Sequence, residues 1–379
     1  MNLILFAVSD VAETILYILL ALVVLLVMIT IHEAGHYTAG KILGFKINEF
    51  AIGMGPKLFS RKKKNGEVFS IRLFPLGGYC AFDGEDENLP DSPDAFNNQK
   101  PWKRIIVLVS GALFNFISAV LIVFIAFWAF GDDALAIKKV YDTSVNYDAY
   151  QAGTGFKEGD IIYKIDGKTV YLVVDVSNYI ANAGEEMDVV VLRENEQGKR
   201  VKVTIENVKK GKFSVDKLDE NGNVVLDENG NPVKEEATGW GVQNAYVKND
   251  FSFGQALGRS VPYCLRAGGY ILETLGGLVT GRVPIKDIGG PITTIDMTTQ
   301  VIRTGFSNVL FLITLISVNL AVFNLLPLPA LDGSRVVFVL IEWIFRKPVN
   351  RKVEGWIHAI GMILLFGLVI LVDILRYLT

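Results

Sequence analysis

The run Ile31-His32-Glu33-Ala34-Gly35-His36 is the stretch of this chain best suited to chemistry. On a helix, His32 and His36 lie one turn apart on the same face, ~6 Å along the axis, so both imidazoles can reach one metal ion. Glu33, beside the first imidazole, can take a proton from metal-bound water. Zn²⁺ is the ion this pattern implies: it brings the pKa of bound water toward ~7 and polarises a carbonyl, which makes peptide hydrolysis possible at neutral pH. The chain has only three histidines, and two of them complete this pattern. The plain alternative is a helix end where two histidines merely meet a membrane interface, but ionisable groups at membrane depth are costly and tend to be functional.

Two histidines leave a catalytic zinc one protein ligand short. Six residues beyond His36, where soluble metzincins place a third histidine, stands Ile42. His358 could serve, although an interfacial role suits it better. The stronger candidate is Asp332, in the run Asn324-Leu325-Leu326-Pro327-Leu328-Pro329-Ala330-Leu331-Asp332-Gly333. Two prolines close together break a helix, and the backbone groups they free are tolerated at membrane depth only in a protein-lined or wet cavity. Taken alone, the run reads as an ordinary helix-terminating turn. Paired with the histidines, it fits a site of two His and one Asp.

The elements that must position these residues are membrane spans. Over 379 residues, 51% are hydrophobic and 20% charged, and mean hydropathy is +0.36. Of the 77 charged residues, 37 fall within 131–250, as expected of a polytopic α-helical membrane protein with one polar insert. This pattern excludes disordered, collagen-like and disulfide-scaffold classes. A net charge of −3 gives no electrostatic case for nucleic acid. Cys80 and Cys264 are too few and too isolated for a disulfide framework. Four stretches are long enough to cross a ~30 Å hydrocarbon core: Ile15 to Ile31, running on into His32–His36; Ile105 to Phe130; Asn308 to about Leu326; and Trp356 to Leu378. No Lys or Arg precedes Lys41, so the first lacks the basic region of a cleaved signal peptide. Eleven basic residues lie between Lys41 and Arg104, and five more between spans three and four. Both loops are expected on the cytoplasmic side, leaving both termini and the insert outside. Spans one and three then end on the same side, which places Asp332 at the level of the histidines.

With these motifs in place, the chain resembles the site-2 proteases, intramembrane zinc metalloproteases with H-E-x-x-H in the first core span and N-x-x-P-x-P-x-L-D-G in the third. Every defined position of both is matched here, and the regulator-of-sigma-E branch is the most similar. The resemblance implies zinc ligation by His32, His36 and Asp332, Glu33 as general base, and Asn324 positioning substrate. Gly111-Ala112-Leu113-Phe114-Asn115 matches a family G-x-x-x-N, which implies a place for Asn115 near the centre and a share in positioning substrate. A purely structural interhelical hydrogen bond is an equal reading. It also implies substrates among single-pass membrane proteins, such as anti-sigma factors or signal-peptide remnants, in a cell membrane with the active site toward the cytoplasm.

The parts then divide as 1–40 (first span), 41–104, 105–130 (second span), 131–250, 251–307, 308–333 (third span), 334–355 (cytoplasmic loop) and 356–379 (fourth span). Within 41–104, Lys46–Ile52 and Val68–Leu73 alternate around Asn65-Gly66 and read as a β-hairpin, with the basic run Arg61–Lys64 at its tip. Resemblance implies that it lies at the membrane and that its edge holds an unwound substrate segment by strand addition. The insert carries Gly159-Asp160-Ile161-Ile162 and an Asp166-Gly167 turn, similar to one circularly permuted PDZ domain that could bind a peptide or exclude bulky substrates. The near-repeat over 219–233 reads as Asn-Gly turns in a surface hairpin; its Gly falls at the wrong position for an EF-hand loop. Gly289-Gly290-Pro291 reads as a bend. The segment 253–280, with Arg266, Pro262 and Glu273, reads as an amphipathic helix on the outer surface. Two rivals stand against this assignment: a soluble-type zincin using a Glu ligand, and a PDZ-bearing membrane scaffold whose metal site is structural or lost.

Overall fold

The computed structural model describes residues 2–85, 92–217, 219, 224–284 and 291–378. Two compact units emerge, 1–126 with 259–379, and 127–258. In the first unit, α1 (Asn2–Leu43), α2 (Pro101–Phe130), α7 (Phe306–Leu325) and α9 (Arg351–Leu378) contain four segments long and apolar enough to span a bilayer: Ile15–Leu43, Pro101–Phe130, Phe306–Leu325 and Arg351–Val372. Their outward faces expose Leu, Ile, Val and Phe, among them Leu19, Val23, Leu121, Ile363 and Leu364. Aqueous surfaces seldom leave such large continuous apolar areas uncovered, and lipid covers them without penalty. The protein is a polytopic membrane protein.

The segment between the first two spans is more than a hairpin. β1 (Ile47–Lys62) and β2 (Val68–Phe82) both bend and fold back on themselves. Ile47–Ile52 pairs on one side with Val68–Ile71 and on the other with Gly78–Phe82, while Lys57–Lys62 pairs with the far side of Val68–Arg72. The result is a four-segment sheet whose two edges are the basic arm 57–62 and the segment 78–82. The bends fall at Gly53, Gly55 and Gly77, all at φ of 83–84°, a region that side-chain-bearing residues avoid. At Gly53 the space is also closed: a Cβ would lie 2.7 Å from the Phe74 carbonyl oxygen. Sequence alternation located the strands but not the double pairing, which needs two bends to act together.

The sheet is tied to α1 through the buried Glu67. Its carboxylate accepts from Tyr37 Oη at 2.9 Å and Lys63 Nζ at 2.6 Å and pairs with Lys41. Phe45, Ile47, Phe82, Phe96, Val107, Leu108 and Val339 form the apolar core on this side.

The sequence expectation of a loop over 334–355 is corrected: α8 (Asp332–Phe345) fills most of it. Its buried Glu342 accepts from Arg104 at 2.6 Å and Arg351 at 2.7 Å, so α2, α8 and α9 meet at one ionic node. α6 (Pro291–Thr304) precedes α7; Gly289-Gly290 lies outside the described residues. α5 (Phe253–Val279) is not among the four candidate spans. Over residues 259–279 it buries Ser260, Tyr263, Cys264 and Ala267 and exposes Val261, Leu265 and Leu272. Its two mid-segment charges pair with each other, Arg266 Nη1 to Glu273 Oε1 at 2.8 Å.

In the second unit, β3 (Asp132–Val140), β4 (Ile161–Ile165), β6 (Glu186–Glu194), β7 (Arg200–Lys209) and β10 (Val242–Asn249) form a sheet in the order β10-β3-β4-β6-β7, with β5 (Lys168–Thr169) on β4. Asp166-Gly167 makes the β4–β5 turn, both at positive φ, as an Asp-Gly hairpin turn requires. Ile137, Phe156, Ile165, Val189, Val191 and Trp240 make the core. Asp160 of the Gly-Asp-Ile-Ile block is buried and accepts two bonds from Arg193, at 2.8 and 2.6 Å, and one from the Lys157 amide at 2.7 Å. α3 (Tyr147–Gln151) and α4 (Val173–Asn182) complete this body, and β8 (Gly211–Asp216) pairs separately with β9 (Lys234–Gly239). The second Asn-Gly turn lies at Asn229-Gly230, with the Asp227 carboxylate accepting from the amides of Asn229 and Asn231; Gly222 of the first lies outside the described residues.

Candidate metal centre

The helical spacing of His32 and His36 does what the sequence pattern requires: both Nε2 atoms face one point, 3.1 Å apart. Asp332, 300 residues on in sequence, brings Oδ2 to 2.9 Å from His32 Nε2 and 3.2 Å from His36 Nε2. Both histidines are buried and Asp332 nearly so. Tetrahedral zinc with bonds of ~2.0–2.1 Å holds its donors ~3.3 Å apart, so the three atoms stand within a few tenths of an ångström of such a shell. The chemistry of the donor set agrees. His36 Nδ1 donates to the Val107 carbonyl at 2.8 Å, which leaves the lone pair on Nε2, pointed at a carboxylate and a second imidazole. Three acceptors converging in a buried space call for a cation, and among the described residues this is the group of three that could hold one. Asp332 opens α8 rather than closing α7. Gly333 behind it presses on the carbonyls of Leu325 and Leu326, where a Cβ has no room.

Glu33 lies between the three donors, which it feels electrostatically, and the segment 78–82 of the sheet. The Cys80 amide hydrogen-bonds its carboxylate, and a Cβ on Gly78 would lie 3.5 Å from Glu33 Cγ. One edge of the four-segment sheet therefore passes beside the candidate base.

Asn115 is fully buried on α2, and its amide lies behind His32, with Nδ2 3.5 Å from His32 Nδ1. Its Oδ1 has no hydrogen-bond partner among the described residues. An imidazole that ligates through Nε2 carries its proton on Nδ1, and the two ends of a carboxamide exchange by a half-turn. With Oδ1 turned to His32, both groups are satisfied. The main-chain carbonyl of Asn115 separately accepts from Ser317 of α7 at 2.7 Å, a bond that does not depend on the asparagine side chain. Asn324, near the end of α7, is half-buried and forms no side-chain hydrogen bond with a described residue.

Three further contributors are Gly111, which the G-x-x-x-N match marks as a close-packing position, and Gly35 and His358, to which the motifs assign no role. Gly111 leaves room for the imidazoles: a Cβ there would lie 2.5 Å from His36 Nε2 and 2.8 Å from His32 Nε2. Gly35, inside the H-E-x-x-H run, abuts the Ser110 carbonyl and brings α1 and α2 together. His358 neither ligates nor sits idle at an interface: its Nδ1 accepts the Ala330 amide at 2.9 Å. For Gly111 the signal was its place four residues before Asn115; for Gly35 it was only a glycine inside the H-E-x-x-H run. For His358 the signal was its being the one histidine left over.

A sequence model of peptidase family M50 matches residues 20–368. A Clostridium perfringens protein named as a zinc metalloprotease is 33% identical over 361 residues, covering 95% of this chain and 98% of its own. A Clostridium acetobutylicum protein with the same kind of name is 33% identical over 359 residues, covering 94% and 96%. The zinc metalloprotease RasP of Bacillus licheniformis is 29% identical over 428 aligned residues, covering 91% and 94%. These relatives run the length of the chain and carry a zinc activity in their names, in keeping with a donor set that three buried acceptors define. The chain belongs to peptidase family M50, the site-2 protease family, and is a membrane zinc metalloendopeptidase.

Proposed function

We propose that this protein hydrolyses peptide bonds within or near the transmembrane segments of single-pass membrane proteins, with His32, His36 and Asp332 as zinc ligands and Glu33 as general base. The observation that carries this reading is the convergence of the three donor atoms within 3.2 Å of one another at the end of a membrane span. Zinc, when bound, supplies an acidified water and polarises the scissile carbonyl. Glu33 would serve there as the group that accepts a proton from the attacking water and hands it to the departing amine. The Cys80 amide orients the Glu33 carboxylate, and Gly78 of the same segment packs close to its side chain.

A substrate helix must unwind before it can be cut. The edge segment 78–82, running beside Glu33, can receive it as an added strand, main chain to main chain. Asn324, half-buried and with no side-chain hydrogen bond to a described residue, is then free to reach the substrate backbone. Asn115 acts one step back, through His32. The basic loops support an orientation in a cell membrane with the metal toward the cytoplasm and the insert outside. Anti-sigma factors and signal-peptide remnants are the substrate types this assignment fits. The body formed by 127–258 acts as a permuted PDZ domain that binds a peptide end or screens out bulky ectodomains; its strand order and Asp166-Gly167 turn support this reading.

The test is Glu33→Gln. The variant is expected to bind zinc like the wild type while membrane-retained fragments of its substrates disappear from cells. Undiminished cleavage by Glu33→Gln would remove Glu33 from the mechanism.

A further inference from the structure

Asp332 is delivered by an irregular loop, 326–331, between α7 and α8. Pro327 and Pro329 have no amide hydrogen to anchor it. Two of its remaining amides bond within the turn, Leu328 to the Leu326 carbonyl at 2.8 Å and Leu331 to that of Leu328 at 3.2 Å. Ala330 stands at φ 74°, a left-handed conformation that a non-glycine residue keeps only where the surroundings enforce it. That kink turns the chain two residues before the candidate ligand.

Two features of α9 meet this kink from one side. The His358 Nδ1 atom accepts the Ala330 amide at 2.9 Å, which gives the strained residue's donor a partner that its own loop cannot supply. Gly361, one turn further along the same face, lies directly under Pro329: the proline ring occupies the space a Cβ would need. The His358 ring is itself fixed, edge-on to Phe338 of α8 with centroids 5.7 Å apart. α9 therefore grips consecutive residues of the loop, one by a hydrogen bond and one by close packing, while the same histidine leans on the helix that Asp332 opens.

We propose that His358 and Gly361 of the last span are positioning residues for the metal centre, a clamp that sets the Pro329–Ala330 kink and through it the placement of Asp332. This rests on the reading of Asp332 as the third ligand. The clamp contributes no ligand and touches no substrate. Its effect is to pre-pay the ordering of the ligand loop, so that zinc meets three donors already in place.

The experiment is zinc affinity of the full-length protein in detergent, measured by competition with a chromogenic chelator, so that no catalytic turnover is needed. His358→Phe keeps the ring's bulk and removes the acceptor, whereas His358→Asn keeps an acceptor at nearly the Nδ1 position. Loss of a residue that orients a ligand costs ~10–100-fold in metal affinity, and a loss in that range is expected for His358→Phe and Gly361→Ala. His358→Asn is expected to recover most of it. A role in packing alone predicts the reverse order, with the bulky Phe tolerated and the smaller Asn not. Wild-type zinc affinity in His358→Phe, or equal losses in Phe and Asn, overturns the clamp. Asp332→Ala, measured alongside, keeps the two readings apart: if it binds zinc like the wild type, the ligand assignment fails; if it loses zinc while His358→Phe does not, only the clamp fails.

Discussion

Replacing Gly111 by alanine puts one methyl group into the space the ligand imidazoles occupy. Its carbon would lie 2.5 Å from His36 Nε2 and 2.7 and 2.8 Å from His32 Cε1 and Nε2, against at least 3.4 Å for ordinary contact, so the rings must retreat by 0.6–0.9 Å. Metal–ligand distances tolerate only ~0.2 Å. The rings have no easy retreat, because His36 is tied to the Val107 carbonyl at 2.8 Å and both are buried. Nor can α2 back away as a whole, because Gly35 holds α1 against the Ser110 carbonyl one residue earlier. We therefore expect zinc affinity to fall ~100-fold or more and peptide cleavage to be lost. Overpacking should also cost ~1–3 kcal/mol of stability. The assay is zinc competition with a chelator, read beside the thermal transition. Gly276→Ala is the control: no described atom lies within 4 Å of a Cβ there, so alanine should be neutral or gain up to ~1 kcal/mol from helix propensity. If Gly111→Ala holds zinc as tightly as the wild type, the imidazoles do not stand where this geometry places them, and the ligand assignment fails with it.

Asn115→Leu, which deprives His32 Nδ1 of its acceptor, should weaken zinc binding ~10-fold or more, and Asn115→Asp, which retains one, should weaken it less; isothermal titration of the metal-free protein decides, and equal losses would contradict the acceptor role. Burial pushes the Glu67 carboxyl up, but bonds from Lys41, Lys63, Tyr37 and Asn65 outweigh it and hold it at about 2 against an ordinary 4.5. Because the folded value is the lower one, this stabilisation, ~3 kcal/mol, is fully present above pH 4.5 and drains away as pH falls toward 2. Pepsin nicking of the basic arm should rise across that window in the wild type; Glu67→Gln should be nicked readily throughout, and an identical pH profile in the two would refute the anchor. Glu342→Ala leaves Arg104 and Arg351 buried without their shared carboxylate and should cost ~3–5 kcal/mol, seen as a lower thermal transition with the zinc ligands untouched.

What could be read in advance and what could not divide along a physical line. Helical spacing fixes the relation of His32, Glu33 and His36, because three residues within one turn share a backbone geometry that needs no partner. The four spans were legible for a similar reason: ~20 apolar residues in a row have few soluble alternatives. Asp332 was reachable from the sequence only through its proline-broken context and a topology argument, since nothing local ties it to a histidine 300 residues away. Past that point, local pattern stops being informative. Asn115 reads equally well as a substrate contact or a packing residue until His32 is seen beside it. Gly35, Gly111 and Gly361 carry no side chain, and their contribution is the absence of an atom at a contact between helices. The folded-back pairing of β1 and β2 arises from bends at Gly53, Gly55 and Gly77 acting together, while each strand's alternation fits a plain hairpin equally well. His358 follows the same logic, because the group it holds is a backbone amide whose need for a partner arises from a kink elsewhere in the chain. A metal centre built across spans thus shows its ligands in the sequence, while the residues that keep those ligands in register become visible only when the helices are packed. Mutational scans should therefore find zinc-loss variants at glycines of α1, α2 and α9 that no metal-ligand pattern would mark.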